Sequence, residues 1–488
     1  MDLKMLEKVI KNTEVFVASV PKAKRKKYGQ FFTNGTTAGF MSSLFNFNLS
    51  LPVIHILDAG AGSGILSAAT VSKLISLGYK GKISLTCYET DVNVLPILHS
   101  NLLLLHNEYG IEYNIIQDNY ITSQDFECNT LFSVQDNVYD YIIGNPPYLK
   151  IPKDAEEAKA MPSVCYGAPN LYFLFWAMGV HNLIEEGELV YIVPRSWTSG
   201  AYFKKFREYI FKYCVITDIH LFESRDKVFE GESVLQETVI IKVKKTTVKP
   251  EFINITSSST SLFSDLKSFK ASYDTVVSRN QFVYLVTNEC DAEILSQINR
   301  FDKTLPDINL RMQTGLIVDF RTREVLRDSL EEGSYPLLYS QHIKNGRVIW
   351  PLGKEGEVIK TDRKSFLQEN SDFLMVKRFT SKEETKRLQC GIYLKQKFPQ
   401  FQYISTQNKI NFIKCDSTCI AYGLFVLLNS SFYDKYYRIL NGSTQVNSTE
   451  INQMPVPDRA LIENMGQDLI HKELSVANCN EIFTKWIN

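Results

Sequence analysis

The chain of 488 residues carries 54 basic and 54 acidic side chains, so its formal net charge is zero. Hydrophobic residues make up 44% of it and charged residues 22%, which is typical of an ordinary soluble globular protein with two or three domains. No apolar stretch approaches the ~18 residues of a membrane-spanning helix, and nine scattered cysteines fit neither a zinc site nor a disulfide framework. A protein of the reducing cytoplasm is therefore expected.

The chain begins with a helical pattern and a basic run. Met1–Val20 carries Lys and Glu among its apolar positions, which predicts an amphipathic helix and not a signal peptide. Pro21–Lys27 holds five basic residues in seven and no acid. Residues 301–410 hold 19 Lys and Arg against 14 Asp and Glu, a local excess of 19 − 14 = +5. This distribution suits a cleft with one basic wall, but ordinary surfaces show the same excess, so charge alone decides nothing.

A glycine-rich loop follows the first predicted strand, Ile54–Asp58. Ala59 and glycines at 60, 62 and 64 come next, and Ile65–Leu77 continues at helical spacing. Glycine lets a ligand approach the backbone closely, and the helix N-terminus adds the positive end of a dipole. Because the loop reads Gly-Ala-Gly-Ser-Gly and lacks the G-x-G-x-x-G of a dinucleotide fold, we expect a ligand without a pyrophosphate.

The next two predicted strands also end in acids. Ile83–Tyr88 runs into Glu89-Thr90-Asp91, at a place where an acid commonly takes the two hydroxyls of a ribose. Tyr113–Ile116 runs into Gln117-Asp118, whose carboxylate is positioned to accept from an adenine amino group. Each acid by itself is explained equally well as a helix N-cap or a solvated strand end. Three acids that close three successive strands favour one common binding site.

The fourth predicted strand, Val138–Gly144, runs into Asn145-Pro146-Pro147-Tyr148. The amide oxygen of Asn145 and the carbonyl oxygen of Pro146 are two acceptors for the N–H groups of a planar amine. The ring of Tyr148 is a platform for the heterocycle that carries this amine. Two consecutive prolines hold φ at about −65° and stiffen the turn. Such a tetrapeptide also occurs as a plain strand exit, so alone it leaves both interpretations open.

Strands and helices continue to alternate as far as residue 250. The further predicted elements are the helices Leu171–Ile184 and Tyr202–Tyr213 and the strands Glu188–Val193, Val215–His220 and Glu237–Val243. This alternation predicts an α/β fold with a doubly wound, mostly parallel sheet, ligands at the carboxyl ends of its strands and an antiparallel edge. Lys244–Phe263 is polar and is interpreted as a connection to a C-terminal half with a mixed α+β pattern.

These motifs resemble, in their order, those of the S-adenosylmethionine-dependent amino-methyltransferases. Gly29-Gln30-Phe31-Phe32-Thr33 resembles the additional cofactor motif of DNA adenine-N6 methyltransferases, and the arrangement is that of the γ class of the TaqI type. The C-terminal half resembles the BsuBI/PstI-like modification methylases in the segments Arg311–Gly315, Val376–Glu384, Leu428–Ser430 and Asn441–Asn447. The resemblance covers about residues 25 to 460. It departs at Asp118, where an Asn follows in place of an apolar residue.

The resemblance implies a Rossmann-like methyltransferase fold in residues 1–250 and a DNA target-recognition domain in residues 251–488. It implies methyl transfer from S-adenosylmethionine to an adenine flipped out of double-stranded DNA, in a bacterial or archaeal cytoplasm. Whether a separate cognate restriction endonuclease exists is left open. The catalytic residues implied are Asn145, Pro146, Pro147 and Tyr148, with Tyr148 and Phe229 stacked on the target base; Phe222 is the alternative to Phe229. The cofactor-binding residues implied are Gly29, Phe32, Thr33, Asp58, Ala59, Gly60, Gly62, Glu89, Thr90, Asp118 and Asn145, without a metal.

Other functions fit part of these motifs. Asn-Pro-Pro-Tyr on this fold also occurs in enzymes that methylate a protein glutamine or an RNA guanine, but so large a C-terminal half is excessive for one glutamine. A solitary epigenetic DNA methylase fits as well as a restriction-modification enzyme. The intact Asp58, Glu89 and Asn145 disfavour an inactive DNA-binding module. Cytosine-C5 methylation would need a Cys after a Pro, and no Pro-Cys occurs. No convincing nuclease motif is present, so we predict methylation without cleavage.

Overall fold

The structure is a computed structural model that describes residues 3–19, 33–127, 138–222, 238–381, 384–441 and 444–487. The chain divides into two units, Met1–Glu289 and Cys290–Asn488. Among the residues just given, no helix has both the length and the hydropathy of a bilayer-spanning segment. The predicted residues Gly29, Phe32 and Phe229 and the basic run Pro21–Lys27 lie outside the described residues.

One nine-stranded sheet organises the first unit. Its strands are β1 (Val53–Ala59), β2 (Lys82–Tyr88), β3 (Glu112–Ile116), β4 (Tyr139–Gly144), β5 (Leu183–Pro194), β6 (Cys214–Phe222), β7 (Thr238–Lys245), β8 (Phe252–Ser258) and β9 (Lys267–Ser272). Their order is β3-β2-β1-β4-β5-β7-β6-β8-β9. β3, β2, β1, β4 and β5 are parallel to one another, whereas β7 is antiparallel to β5 and β6. The predicted parallel sheet with an antiparallel edge is confirmed.

Helices cover this sheet. They are α1 (Leu3–Ser19), α2 (Gly35–Ser43), α3 (Ile65–Ser76), α4 (Leu95–Tyr109), α5 (Glu156–Ala160), α6 (Leu171–Asn182), α7 (Lys204–Tyr213) and α8 (Tyr273–Val276). Val9 of α1, Leu66 of α3 and Leu98 of α4 join Ile56 of β1 in one buried core. α1 through α4 are therefore fastened to the sheet beside the glycine-rich loop.

Local sequence explains several helix ends. The side chain of Asn34 caps α2 by accepting from the N–H of Thr37 at 2.7 Å, and Asn170 caps α6 in the same way through Tyr172. Such caps satisfy N–H groups that the first helical turn leaves without partners. Gly110 follows the last residue of α4 and caps it, with a φ of 67° that glycine adopts at little cost.

The first unit is longer than the predicted 1–250. The interpretation of Lys244–Phe263 as a connection was wrong, because Phe252–Ser258 is β8 and pairs in parallel with β6. β9 then pairs with β8 in antiparallel orientation. Buried and more exposed residues alternate along most of β8, as in a typical half-buried strand. The sequence does not show this alternation clearly, because Thr and Ser occupy the second half of the strand. The functional roles of the two units stay predictions.

The second unit contains two smaller sheets. Its strands are β10 (Met312–Thr314), β11 (Leu326–Arg327), β12 (Ser334–Leu338), β13 (Ile343–Lys344), β14 (Arg347–Val348), β15 (Val358–Lys360), β16 (Gln368–Glu369), β17 (Asp372–Lys377), β18 (Cys390–Tyr393), β19 (Tyr403–Thr406) and β20 (Ile410–Cys415). One sheet has the order β10-β20-β17-β18-β14-β13 and the other β11-β15-β12-β19-β16.

Helices complete the second unit. They are α9 (Glu289–Asn299), α10 (Thr418–Asn429), α11 (Ser431–Leu440), α12 (Ser448–Gln453), α13 (Arg459–Ile470) and α14 (Val476–Ile487). α10 and α13 touch backbone to backbone, since a Cβ at Gly423 would lie 1.9 Å from the carbonyl oxygen of Ile462. The mixed α+β pattern predicted for the C-terminal half is confirmed.

Candidate functional site

The carboxyl ends of β1, β2, β3 and β4 meet around one cavity of about 500 Å³. Of the residues predicted for the site, those that line this cavity are Gly60, Gly62, Glu89, Thr90, Asp118, Asn145 and Pro147. The glycine-rich loop and the Asn-Pro-Pro-Tyr turn, 81 residues apart between Gly64 and Asn145, therefore share a single space. A volume of this size is in the range of small-molecule sites, about 300–1,000 Å³.

The glycine-rich loop takes a conformation that requires glycine. Gly60, Gly62 and Gly64 have φ values of 76°, 56° and 80°, a region in which a side chain is strained. The N–H groups of Gly60 and Ala61 both donate to the carbonyl oxygen of Tyr88, at 3.0 and 2.9 Å. The loop is thus fastened to the end of β2, and Gly64 stands at the N-terminus of α3.

Glu89 links the loop to the second strand. Its Oε2 accepts from the N–H of Gly62 at 2.9 Å, and its Oε1 accepts from the N–H of Asp91 at 2.8 Å. Burial raises the pKa of Glu89, and these backbone N–H groups oppose that effect. Both carboxylate oxygens are held at the cavity wall, and each keeps further lone pairs for a ligand.

Asp58 lies beneath the loop and does not line the cavity. It is completely buried, and its Oδ2 accepts from the N–H of Ser67 at 3.2 Å and from its hydroxyl at 2.6 Å. Desolvation by burial, with a smaller contribution from the charge of Glu89, raises the pKa of Asp58 to about 7. The contacts of Asp58 join β1 to the first turn of α3. Its predicted direct contact with the cofactor stays a prediction.

The Asn-Pro-Pro-Tyr turn places two of its four residues at the cavity. Asn145 and Pro147 line it, and Asn145 Nδ2 donates to Thr33 Oγ1 at 3.2 Å. This hydrogen bond identifies which end of the Asn145 side chain is the nitrogen, and so which end is the oxygen. Pro146 is buried. The hydroxyl of Tyr148 donates to the carbonyl oxygen of Ile192 at 3.0 Å, which fixes the orientation of its half-buried ring.

An aromatic wall completes the cavity, and sequence reasoning missed it. Tyr88, Tyr120 and Phe175 line the cavity, with ring centroids 4.9 Å apart for Tyr88 and Tyr120 and 5.2 Å apart for Tyr120 and Phe175. A Cβ at Gly60 would lie 3.6 Å from the ring of Phe175. Tyr120 follows the predicted acid by two residues, which is a usable signal. Phe175 comes from α6, far along the chain, and no local pattern marks it.

The remaining predicted residues take supporting positions. Asp118 lines the cavity and accepts from the N–H of Asn119 at 2.7 Å, as a strand-end acid also does without a ligand. Ala59 ends β1 and is fully buried. Thr33 is buried next to Asn145 and does not itself line the cavity. Thr90 lines it beside Glu89.

Comparison with known proteins identifies the family. Residues 68–229 match the family model described as Eco57I restriction-modification methylase. The chain is 34% identical to the type II methyltransferase M.BsuBI of Bacillus subtilis, over 91% of each protein. It belongs to the type II restriction-modification methyltransferases. Type II methyltransferase M.PstI of Providencia stuartii is 31% identical, over 94% of this chain and 93% of that protein. The predicted family is confirmed.

A solved structure supports the fold of this methyltransferase. The type IIL restriction-modification enzyme MmeI, in complex with DNA, matches with a TM-score of 0.53 at 11% sequence identity. The match covers 100% of this chain and 75% of that one. At this identity the likeness concerns the fold alone, and the predicted fold class is confirmed.

The buried carboxyl of Asp58 is expected to make folding pH-dependent. In the folded protein its pKa is about 7 against an ordinary value of 3.8, so the unfolded chain loses this proton at lower pH. Stability should therefore fall as pH rises between those values, by about 1.4 kcal/mol per pH unit. The measurement is the melting temperature of wild type minus that of Asp58→Asn, which should decrease from pH 5 to pH 7. A difference that does not change with pH would contradict the assignment.

Proposed function

We propose that the chain is a site-specific DNA adenine-N6 methyltransferase, the modification enzyme of a type II restriction-modification system. S-adenosylmethionine is the methyl donor, and an adenine flipped out of double-stranded DNA is the acceptor. The observation that carries this proposal is the presence of Asn145 and the glycine-rich loop in one cavity. A donor held at the loop and an amine held at Asn145 meet in the same space. Double-stranded DNA is favoured as substrate because MmeI, a restriction-modification enzyme of similar fold, is in complex with DNA.

The residues of the cavity fit the cofactor. Gly62 and its neighbours allow close approach of a ligand to the backbone. Glu89 offers two fixed acceptors to the hydroxyls of a ribose, and Asp118 offers one to an adenine amino group. Tyr120 and Phe175 supply apolar surface for the adenine ring. When bound, the sulfonium cofactor supplies an already activated methyl group, so the protein's share is positioning.

The turn at Asn145 suits the acceptor amine. The lone pair of an exocyclic adenine nitrogen is conjugated with the ring, which makes it a poor nucleophile. The amide oxygen of Asn145 and the carbonyl oxygen of Pro146 each accept one of its hydrogens, which draws the nitrogen toward a tetrahedral geometry. Asn145 Nδ2 donates to Thr33 Oγ1, and this hydrogen bond fixes the orientation of the amide that carries the proposed acceptor oxygen. The ring of Tyr148 stacks on the extruded base and offsets part of the free energy of flipping it.

The direct test is methyl transfer from labelled S-adenosylmethionine to unmethylated genomic DNA, with the modified base identified by mass spectrometry after digestion. Wild type should yield N6-methyladenine. Asn145→Ala should lower kcat by about 100-fold or more, because one preorganised partner of the reacting nitrogen is lost. Its Kd for the cofactor should change little.

Asn114→Ala is the matched control, since Asn114 is an exposed amide on β3 of the same sheet and is not among the residues lining the cavity. It should keep wild-type kcat. Full activity in Asn145→Ala would refute the acceptor role. Transfer to protein glutamine or RNA in place of DNA would replace the proposed substrate.

Removal of the Glu89 carboxylate should act mainly on cofactor binding. Glu89→Ala loses both the proposed ribose contact and the hydrogen bond to Gly62. Kd for S-adenosylmethionine, measured by isothermal titration calorimetry, should rise by about tenfold or more, as expected for hydrogen bonds to a charged group. Glu112→Ala removes an exposed carboxylate from β3 of the same sheet and should leave Kd unchanged. Equal affinities of the two variants would assign the ribose contact to another residue.

A further inference from the structure

Two segments of the second unit that the catalytic proposal does not use meet at one turn, Gln407–Lys409, between β19 and β20, and a third segment holds one of these two in place. The first is Arg311–Gly315. The N–H of Gly315 donates to the carbonyl oxygen of Ile410 at 2.8 Å, and a Cβ at Gly315 would lie 2.1 Å from the carbonyl oxygen of Gln407. Only glycine permits this approach, so the residue type at position 315 is explained by the turn.

The second segment, at Arg378, holds the same turn from another side, and the third segment, at Val446, holds Arg378. The N–H of Arg378 donates to the carbonyl oxygen of Lys409 at 2.9 Å, and Arg378 Nη1 donates to that of Asn408 at 3.1 Å. The N–H of Val446 donates to the carbonyl oxygen of Arg378 at 2.7 Å. The fully buried Asn411 of β20 also holds the segment with Val446, since its Nδ2 donates to the carbonyl oxygen of Val446 at 2.7 Å. The turn is therefore rigidly supported.

Two exposed aromatic rings lie on the chain segments that are joined to this turn, each beside an arginine. Phe379 is 45% exposed, and the guanidinium of Arg378 lies 5.5 Å from its ring centroid. Phe320 is 64% exposed, and the guanidinium of Arg321 lies 5.4 Å from its ring centroid. The segment with Phe320 is joined to the turn through Ile317, whose carbonyl oxygen accepts from the N–H of Asn408 at 2.7 Å.

We propose that this turn surface, defined as residues 319–321, 377–379, 408 and 409, contacts the bases and phosphates of duplex DNA. It carries four cationic side chains and one acid, Asp319. Arg and Lys neutralise phosphates and read guanine edges, and an exposed aromatic ring inserts against a base. The inference rests on the proposed function and deepens it, because it selects contact residues within the second unit.

Burial separates these residues from other basic side chains nearby. Arg387, in the same stretch of chain, is fully buried, and its Nη1 donates to the carbonyl oxygen of Thr380 at 2.7 Å. It belongs to the interior and is not a base reader. Lys409 is exposed, and the backbone beneath it is held by Arg378. A firmly held backbone under exposed cations and rings is the arrangement that a reading surface needs.

The test uses Phe379→Ala and Lys409→Ala in the full-length protein, with fluorescein-labelled unmethylated genomic fragments as the probe. Both should weaken DNA binding in fluorescence anisotropy by about fivefold or more, and Lys409→Ala should lower the slope of log affinity against log salt by about one unit. The affinity for S-adenosylmethionine and the melting temperature should stay at wild-type values. Phe252→Ala is the matched control, because Phe252 is 44% exposed on β8 of the first unit.

The outcomes separate the two proposals. If wild type methylates DNA and Phe379→Ala and Lys409→Ala bind it like Phe252→Ala, the turn surface is not the contact and the proposed function stands. A changed oligomeric state with unchanged DNA affinity would assign the surface to self-association and overturn the inference. If wild type transfers no methyl group to DNA, the proposed function fails, and the inference that depends on it fails too.

A second inference concerns α1, which contacts the glycine-rich loop. Thr13 is buried, and its Oγ1 forms a 2.9 Å hydrogen bond with Ser63 Oγ. Asn101 of α4 is fully buried, and its Nδ2 donates to the carbonyl oxygen of Ser63 at 2.9 Å. Asn12 in turn donates to Asn101 Oδ1 at 3.0 Å. Ser63, between two glycines of the loop, is thus held at both its hydroxyl and its carbonyl group.

We infer that Thr13 and Asn101 are positioning residues for cofactor binding, which again rests on the proposed function. Thr13→Val keeps nearly the same shape and removes the hydroxyl, so the glycine-rich loop loses one anchor. Kd for S-adenosylmethionine should rise about threefold to tenfold in Thr13→Val. Thr13→Ser keeps the hydroxyl and should have the wild-type Kd. Thr70→Val is the matched control, because Thr70 is a fully buried helical Thr whose hydroxyl donates to the carbonyl oxygen of Leu66. A purely structural role would lower the melting temperature of both Val variants and leave both affinities alike.

Discussion

The parallel pairing of β1 with both β2 and β4 is the constraint on which the site depends. Asp58 is level with Cys87 on one side and with Ile143 on the other. Because the register is shared, the residues that follow each strand emerge at the same height. The glycine-rich loop, Glu89 and Asn145 then meet without any long loop to carry them. A slip by one residue would turn the alternate side chains to the wrong face of the sheet.

Backbone donors make this edge rigid. Glu89 is a buried acid whose two oxygens accept from N–H groups of Gly62 and Asp91, so its desolvation is compensated by hydrogen bonds. The loop also donates twice to the carbonyl oxygen of Tyr88. A ligand therefore meets acceptors that are already in place, and little ordering entropy opposes binding. Asp58, at the end of β1, accepts a hydrogen bond from the hydroxyl of Ser67 in α3. This bond connects the strand that precedes the loop to the helix that follows it.

The second unit divides its polar residues between support and surface. Asn411 and Arg387 are buried, and each donates to a backbone carbonyl oxygen of another part of the chain, whereas Lys409 and Phe379 lie near them in the sequence and are exposed. Residue type does not distinguish the two groups, since an arginine serves equally as an interior clamp and as a DNA contact. Burial distinguishes them, because a side chain without access to solvent has no access to a duplex.

The sequence by itself determined the succession of strands and helices along the first part of the chain, the glycine-rich loop and the four strand ends that carry the site. These follow from local causes: period-two and helical hydrophobic patterns, glycines at positive φ, and prolines that stiffen one turn. Only the tertiary structure decided that β8 and β9 extend the sheet, that Phe175 forms part of the cavity wall and that Thr13 contacts Ser63. Each of these depends on a contact between residues far apart in the chain, where the packing partner and not the local sequence selects the outcome.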